Sequence, residues 1–338
     1  MSSRNHSSQM FLPMISAIFQ RAVTLTLSTP FSSWNHSITP LLAKDAGPRC
    51  PITRTRPVSL KQMLRRIFCK ILCHFYTRSP SQSTNGWEEC HNSQGGFCPG
   101  YSTLSHSLLV DHLSPNQRGS PSIAIDLQAA YDRAILRKFL AICHSRGASA
   151  REISLTASLY AGCSSSLVVN GCTISPVLVR CTGFFQGCPL ATFAWNVYID
   201  PLGRRLEEKF GSNSATLYAD DIMLLPPTRD QAQLMTKMVQ DWCEENNMIG
   251  GLRKMGVIEP DDIPPQNPIL WHGVGIPIVT WYQYLGIPTG PDGIDHLRHV
   301  TDRVEAATKH LRILTGRGSH WQTDAKMVIA RTFILPPA

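Results

Sequence analysis

Apolar positions along this chain switch between a helical spacing of three and four and a strand-like spacing of two. From Arg56 to Tyr76, Leu60, Leu64, Ile67, Phe68, Ile71, Leu72 and Phe75 recur at helical spacing, which predicts an amphipathic helix with a basic outer face. A loop rich in Ser, Asn and Gly follows, from Ser79 to Gly100. Ser122 to Leu127 alternates into a short strand, so Asp126 is expected at a strand's end. Ala134 to Cys143 resumes helical spacing until Gly147 supplies a stop. After the turn at Gly187-Cys188-Pro189, Leu190, Phe193, Ala194, Val197 and Tyr198 mark a helix whose first turn accepts Pro189 without losing a hydrogen bond. Thr216 to Leu225 reads as two short apolar strands broken by Asp220 and Asp221, a hairpin with acids at its tip. Thr228 and Gln231 have the spacing of a capping box, ahead of a helical face of Leu234, Met235, Met238, Val239 and Trp242. Trp281 to Ile287 is expected to be a strand pair. Leu297, Val300, Val304, Ala307, Leu311 and Leu314 step to a stop at Gly316, with a second helix from about Ala325 to Phe333.

Composition narrows the class without deciding it. The 338 residues, 43% hydrophobic, suffice for a sizeable core and for one large domain or two to three subdomains. The formal charge of +8 suits a polyanionic partner, and its distribution says more than its size. Between Asp45 and Glu88 there is no acid, while Arg49, Arg54, Arg56, Lys61, Arg65, Arg66, Lys70 and Arg78 fall there among Phe68, Phe75 and Tyr76. That stretch could face phosphates, and a solvated basic helix accounts for it equally well. The 11 cysteines form no CxxC pairs, so reduced thiols in an intracellular protein are expected; Cys90, His91 and Cys98 lack the spacing of a zinc site. The apolar run Met10 to Phe19, interrupted by Pro13, is too short to span a bilayer, and no membrane association is expected. The first thirty or so residues, rich in Ser and Thr, read as an extension without assigned function.

The chemistry is carried by acids far apart in sequence. A strand ending in Asp126 and a hairpin bearing Asp220 and Asp221 make a divalent-metal site if the strands are neighbours. Nucleotidyl transfer needs two cations, one to lower the pKa of the attacking hydroxyl and one to shield the leaving pyrophosphate. Hard carboxylate oxygens suit Mg²⁺, and Mn²⁺ can substitute. A lone Asp-Asp pair in a turn is usually only a turn. Here Leu217, Ile222 and Leu224 grip the tip, which aims the acids.

Tyr218-Ala219-Asp220-Asp221 resembles the YxDD box of reverse transcriptases, particularly those of non-LTR, LINE-type retrotransposons. Its ordered company strengthens the resemblance: Ala124-Ile125-Asp126-Leu127-Gln128-Ala129-Ala130-Tyr131-Asp132 is similar to the family's first catalytic box, and Phe185-Gln186-Gly187-Cys188-Pro189-Leu190 to its second. Arg56-Pro57-Val58-Ser59-Leu60 and Gln94-Gly95-Gly96-Phe97-Cys98-Pro99-Gly100 resemble fingers motifs. Gly251-Leu252-Arg253-Lys254-Met255-Gly256-Val257 and Tyr284-Leu285-Gly286-Ile287 resemble the lysine box and the primer grip.

The resemblance implies an α+β right-hand polymerase fold with an antiparallel palm sheet, helical fingers and a short, truncated helical thumb. It places the fingers at 34–120, the palm at 121–290 with an interleaved fingers segment at about 136–180, and a partial thumb at 291–338, after an extension of residues 1–33. It implies RNA-directed DNA polymerisation with two Mg²⁺ ions, an RNA template, a DNA primer and dNTPs. Asp126, Asp220 and Asp221 would bind metal. Tyr131 would exclude a 2′-hydroxyl, Gln186 would contact the nucleotide, Lys44 and Arg56 would neutralise the triphosphate, and Lys254 would serve the departing pyrophosphate. Asp132 is expected to fix local structure. Taken alone, Tyr131 would read as a core tyrosine, Gln186 as part of a helix-start turn and Lys254 as a surface lysine.

Two departures stand out. Cys98 occupies the place where LINE-type relatives carry arginine, and the chain ends at Pro336-Pro337-Ala338 as the thumb begins, which suggests a fragment lacking endonuclease and zinc knuckle. These departures keep open an inactive fragment that only binds nucleic acid; the separated acids would also suit an RNA-dependent RNA polymerase, against which Ala219 and Tyr131 both count.

Overall fold

The protein's structure, a computed structural model, describes residues 36–43, 55–57, 63–77, 93–169, 172–179, 182–261, 267–316, 322–323 and 326–327. Its first strands, β1 (His36–Ala43) and β2 (Thr55–Pro57), pair antiparallel with Leu42 opposite Arg56. The sequence pattern carries the next helix back to Arg56, but Thr55–Pro57 is extended and helix α1 spans Met63–Thr77. Pro57 is the reason: its ring disfavours the α region for the residue before it, which leaves Arg56 in strand geometry. Helix α1 exposes Arg66, Lys70 and His74 as expected of a basic face. Arg65, expected with them, turns inward instead. It is fully buried, donates to the Leu159 carbonyl at 2.6 Å and lies over the Phe185 ring. A guanidinium removed from water in this way is held by its partners and has no reach to a phosphate.

Helix α2 (Thr103–His112) opens on a reciprocal cap between Ser102 and Ser105. Strand β3 (Ser122–Asp126), helices α3 (Leu136–Ser145) and α4 (Ala150–Tyr160), and the hairpin of β4 (Ser164–Val169) and β5 (Cys172–Val179) follow. Because β4 pairs in parallel with β1, a sheet of order β2-β1-β4-β5 stands beside these helices.

Helix α5 (Pro189–Phe210) starts with Pro189, whose missing N–H is one the first turn leaves unpaired anyway. Strands β6 (Ala215–Tyr218) and β7 (Asp221–Leu224), helix α6 (Arg229–Glu245) and strand β8 (Gly256–Ile258) complete a central antiparallel sheet of order β6-β7-β3-β8. One face of that sheet is apolar: Ile123, Ile125, Leu217, Ile222 and Leu224 join the main core with Trp195 and Ile199 of α5 and Met235, Val239 and Trp242 of α6. Each such side chain contributes about 1.5–3 kcal/mol on burial, so this face anchors the sheet; on the other face Ala124 and Met223 form a smaller apolar cluster with Val110 and Tyr284. Asp200 of α5 is buried at the edge of that core, accepting from Arg146 and, at 2.6 Å, from Arg204.

Thr228 is the N-cap of α6, yet its side chain makes no capping bond and the buried Gln231 Oε1 has no hydrogen-bond partner, so the expected capping box does not form. Beyond α6 lie β9 (Leu270–Trp271), β10 (Val274–Gly275), β11 (Tyr282–Tyr284), β12 (Ile287–Gly290), β13 (Gly293–Ile294) and helix α7 (His296–Thr315). The β11–β12 turn uses Leu285 and Gly286, both at positive φ, the conformation that matches the strands' twist. The helix expected from Ala325 to Phe333 lies largely outside the described residues. Among the described residues, no helix is long and apolar enough to cross a membrane.

Candidate active site

Register decides where the acids go. Strands β3 and β7 are neighbours, with Ile125 opposite Ile222 and Asp126 opposite Asp221. Side chains alternate along a strand, so the isoleucines enter the main core and the two aspartates emerge on the opposite face. Directly opposed residues have Cβ atoms about 4.5–5.5 Å apart, and like charges there repel unless a cation lies between them. Asp220 is carried on the turn beside them, next to Ala219, whose φ of 55° is in the left-handed region. On the same face, Tyr282 of β11 feels both charges: its pKa is pushed up to about 12, first by burial and then by Asp221 and Asp126.

A cation already stands against Asp126. The Lys254 ammonium lies 3.1 Å from Oδ1 and 3.3 Å from Oδ2. It is delivered by a single turn of 3₁₀ helix, Leu252–Lys254, pinned at both ends. At one end the Gly251 N–H donates to the Asp126 carbonyl at 2.8 Å; at the other the Tyr282 hydroxyl donates to the Lys254 carbonyl, also at 2.8 Å. A Cβ at Gly251 would sit 2.8 Å from Asp126 Oδ2, so a side chain there would push the carboxylate aside.

Among the described residues, no three His, Cys, Asp or Glu side chains are clustered closely enough to hold a metal ion as they stand. In kind, the donors suit one: the oxygens are hard, and the Lys254 ammonium shows that Asp126 accepts a positive charge. A divalent ion bound there would have to displace the lysine.

The remaining expected residues divide. Tyr131 lies on the Asp220 side: burial raises its pKa, with the Asp220 charge a further cause, and its ring stacks on Trp195 at 5.2 Å. Gln186 reaches the same strip indirectly, its Nε2 lying 3.4 Å from Asp132 Oδ2, while the Phe184 N–H donates to the Tyr131 carbonyl at 2.6 Å. Asp132 packs its main chain where a Cβ on Gly183 would lie, 2.6 Å from its carbonyl oxygen, in keeping with a local structural part. Lys44 lies outside the described residues, and of Arg56 the structure describes the backbone in β2 without the side chain. Cys98 receives a hydrogen bond from Asn196 Nδ2 at 3.4 Å.

Three residues escaped the sequence pattern. Tyr282 supports Lys254; Gln94 bonds the turn that bears Asp220; His106 hydrogen-bonds Thr216 of β6 and meets the Tyr218 ring edge-on at 5.6 Å. Each acts across more than twenty residues of chain, which periodicity does not report. The glycines of Gln94-Gly95-Gly96 were the available signal of close backbone approach.

Comparison with known proteins gives the family. The reverse transcriptase (RNA-dependent DNA polymerase) family matches residues 44–288, a span holding all three aspartates, Tyr131, Gln186 and Lys254. This chain belongs to the reverse transcriptase family. A retrovirus-related Pol polyprotein from a type-2 retrotransposable element of Drosophila melanogaster is 26% identical over 197 residues, 55% of this chain and 18% of that protein. The reverse transcriptase chain described here thus spans under a fifth of that curated relative. Apo telomerase from Candida tropicalis superposes with a TM-score of 0.50 at 10% identity, covering 79% of this chain and 49% of that one. A form of it truncated from its C-terminal domain gives 0.49 at 10% identity, over 79% and 55%. At such identity the likeness concerns fold, and the fold is that of a right-hand polymerase with an antiparallel palm sheet.

Proposed function

We propose that this chain catalyses RNA-templated addition of deoxynucleotides to a primer 3′-hydroxyl, with Asp126, Asp220 and Asp221 holding two divalent cations. The observation that carries the proposal is the register of β3 and β7, which sets Asp126 opposite Asp221 with Asp220 on the adjoining turn. Bound there, Mg²⁺ would make the primer hydroxyl a stronger nucleophile and shield charge on the leaving pyrophosphate. Lys254, released from Asp126, would place its ammonium where pyrophosphate charge accumulates. The Tyr131 ring, backed by Trp195, would form a rigid floor that leaves no room for a 2′-hydroxyl. Gln186 would bind the incoming nucleotide, and Arg56 and Lys44 its triphosphate. An intracellular setting, RNA and DNA as partners, and division into fingers, palm and partial thumb at the boundaries given above belong to the same proposal.

Primer extension on a poly-rA template with labelled dTTP tests it, comparing the chain with Asp220→Ala in Mg²⁺ and in Mn²⁺. Incorporation that the substitution abolishes is the expected result. Background incorporation by both proteins, with primer–template binding that weakens steeply with salt, would favour a chain that binds nucleic acid without extending it.

A further inference from the structure

The segment Ser93–Gly96 lies alongside β6 as a parallel extension of the palm sheet. The Leu217 N–H donates to the Ser93 carbonyl at 2.7 Å and the Gly95 N–H to the Leu217 carbonyl at 2.9 Å. This brings the side chain of Gln94, 1% exposed, onto the β6–β7 turn. There Oε1 accepts from the Ala219 N–H at 3.0 Å and the Gly96 N–H at 2.7 Å, while Nε2 lies 3.4 Å from the Ala219 carbonyl it donates to. Ala219 is the residue before Asp220, and it holds a left-handed conformation that a non-glycine residue keeps only when its surroundings impose it.

The packing leaves the turn no slack. A Cβ on Gly96 would fall 2.3 Å from the Ala219 nitrogen, and one on Gly95 would fall 1.6 Å from His106 Nε2. From behind, Asn196 of α5 donates to the Gly96 carbonyl at 2.7 Å, tying the segment to the core helix. Both glycines are therefore explained by contact with the turn and its support.

We propose that Gln94 is a positioning residue for Asp220: by holding both the N–H and the carbonyl of Ala219, it fixes the turn and with it the third carboxylate beside Asp126 and Asp221. The segment that sequence resemblance placed in the fingers thus braces the palm hairpin. This inference rests on the reading of those carboxylates as cation ligands, and one arm of its test does not.

The test uses the full chain without nucleic acid. Hydrogen exchange is followed across residues 215–222, and Mn²⁺ binding is followed by water-proton relaxation. Gln94→Leu leaves two buried N–H groups without their acceptor, and exchange in 215–222 should quicken by about tenfold, the worth of one net hydrogen bond. Mn²⁺ affinity should fall by about 10–100-fold, the usual effect of losing a residue that orients a metal ligand. Gly96→Ala, which drives a methyl into the turn, should do the same by another route. Gln94→Glu keeps an oxygen where both amides donate but loses the donor to the Ala219 carbonyl, so its protection should fall between those of Gln94→Leu and the wild type. Val239→Ala, a core truncation in α6, should lower the melting temperature and leave Mn²⁺ affinity unchanged. Wild-type exchange at 215–222 in Gln94→Leu overturns the inference, as does faster exchange with unaltered Mn²⁺ affinity. A wild-type chain without Asp220-dependent Mn²⁺ binding sinks the cation reading instead, and the exchange arm still decides whether Gln94 braces the turn.

Discussion

The Lys254 contact with Asp126 and the role proposed for Lys254 in turnover pull in opposite directions. The Lys254 ammonium spans both oxygens of Asp126, relieving the repulsion that the register imposes between Asp126 and Asp221. During turnover the same charge is proposed to serve the leaving group. Lys254→Met should therefore tighten Mn²⁺ binding in the absence of nucleotide, since a competitor for Asp126 is gone. It should also slow single-turnover incorporation by about 100-fold or more, the usual range for losing a general acid. Parallel losses of binding and rate would mean that Lys254 merely supports the loop. Of the residues at this site, the acids were the legible ones: Asp126 and the Asp220-Asp221 pair interrupt apolar strands, and polar groups on such strands have to be aimed somewhere. Arg65 was misleading for the converse reason, because a charge on a helix says nothing about a carbonyl such as that of Leu159 waiting 94 residues away.

At the scale of elements, α2 docks on β6 through His106, whose buried ring bonds Thr216 and lies between Tyr101 and Tyr218. Burial lowers its pKa below the ordinary 6.5, so the folded protein binds fewer protons here than the unfolded chain. The sign follows: this contribution to stability is whole above pH 6.5 and is lost progressively as pH falls toward the folded value. Between pH 7.5 and 5.5 the melting temperature of the wild type should drop more than that of His106→Gln, by calorimetry on the two proteins; equal drops would refute the assignment. Elements whose partners are close in sequence were legible. The hairpin of β6 and β7 and the long helix α7, ending at Gly316, follow their periods. Arg56 is extended although the apolar spacing reaches back to it, because Pro57 vetoes helix there, a local rule that overrides the period. The β1–β4 pairing spans more than a hundred residues and left no trace in the pattern.

For the whole molecule, a net charge of +8 and the exposed Arg66 and Lys70 on α1 predict an association with primer–template dominated by phosphate contacts. Arg66→Gln combined with Lys70→Gln should reduce the slope of log affinity against log salt by about 1–2 and weaken all sequences alike. An unchanged slope would place the nucleic acid elsewhere. The central claim, that acids brought together by strand register perform metal-dependent polymerisation, concerns rate rather than binding. It is tested most directly by single-turnover dTTP incorporation on an RNA template by the wild type and Asp126→Asn, with primer–template affinity measured on the same samples. The account predicts at least a hundredfold loss of rate at saturating Mg²⁺, roughly the scale expected for removing a charged group that stabilises the transition state, with affinity for primer–template unchanged. Incorporation by Asp126→Asn at the wild-type rate would contradict it.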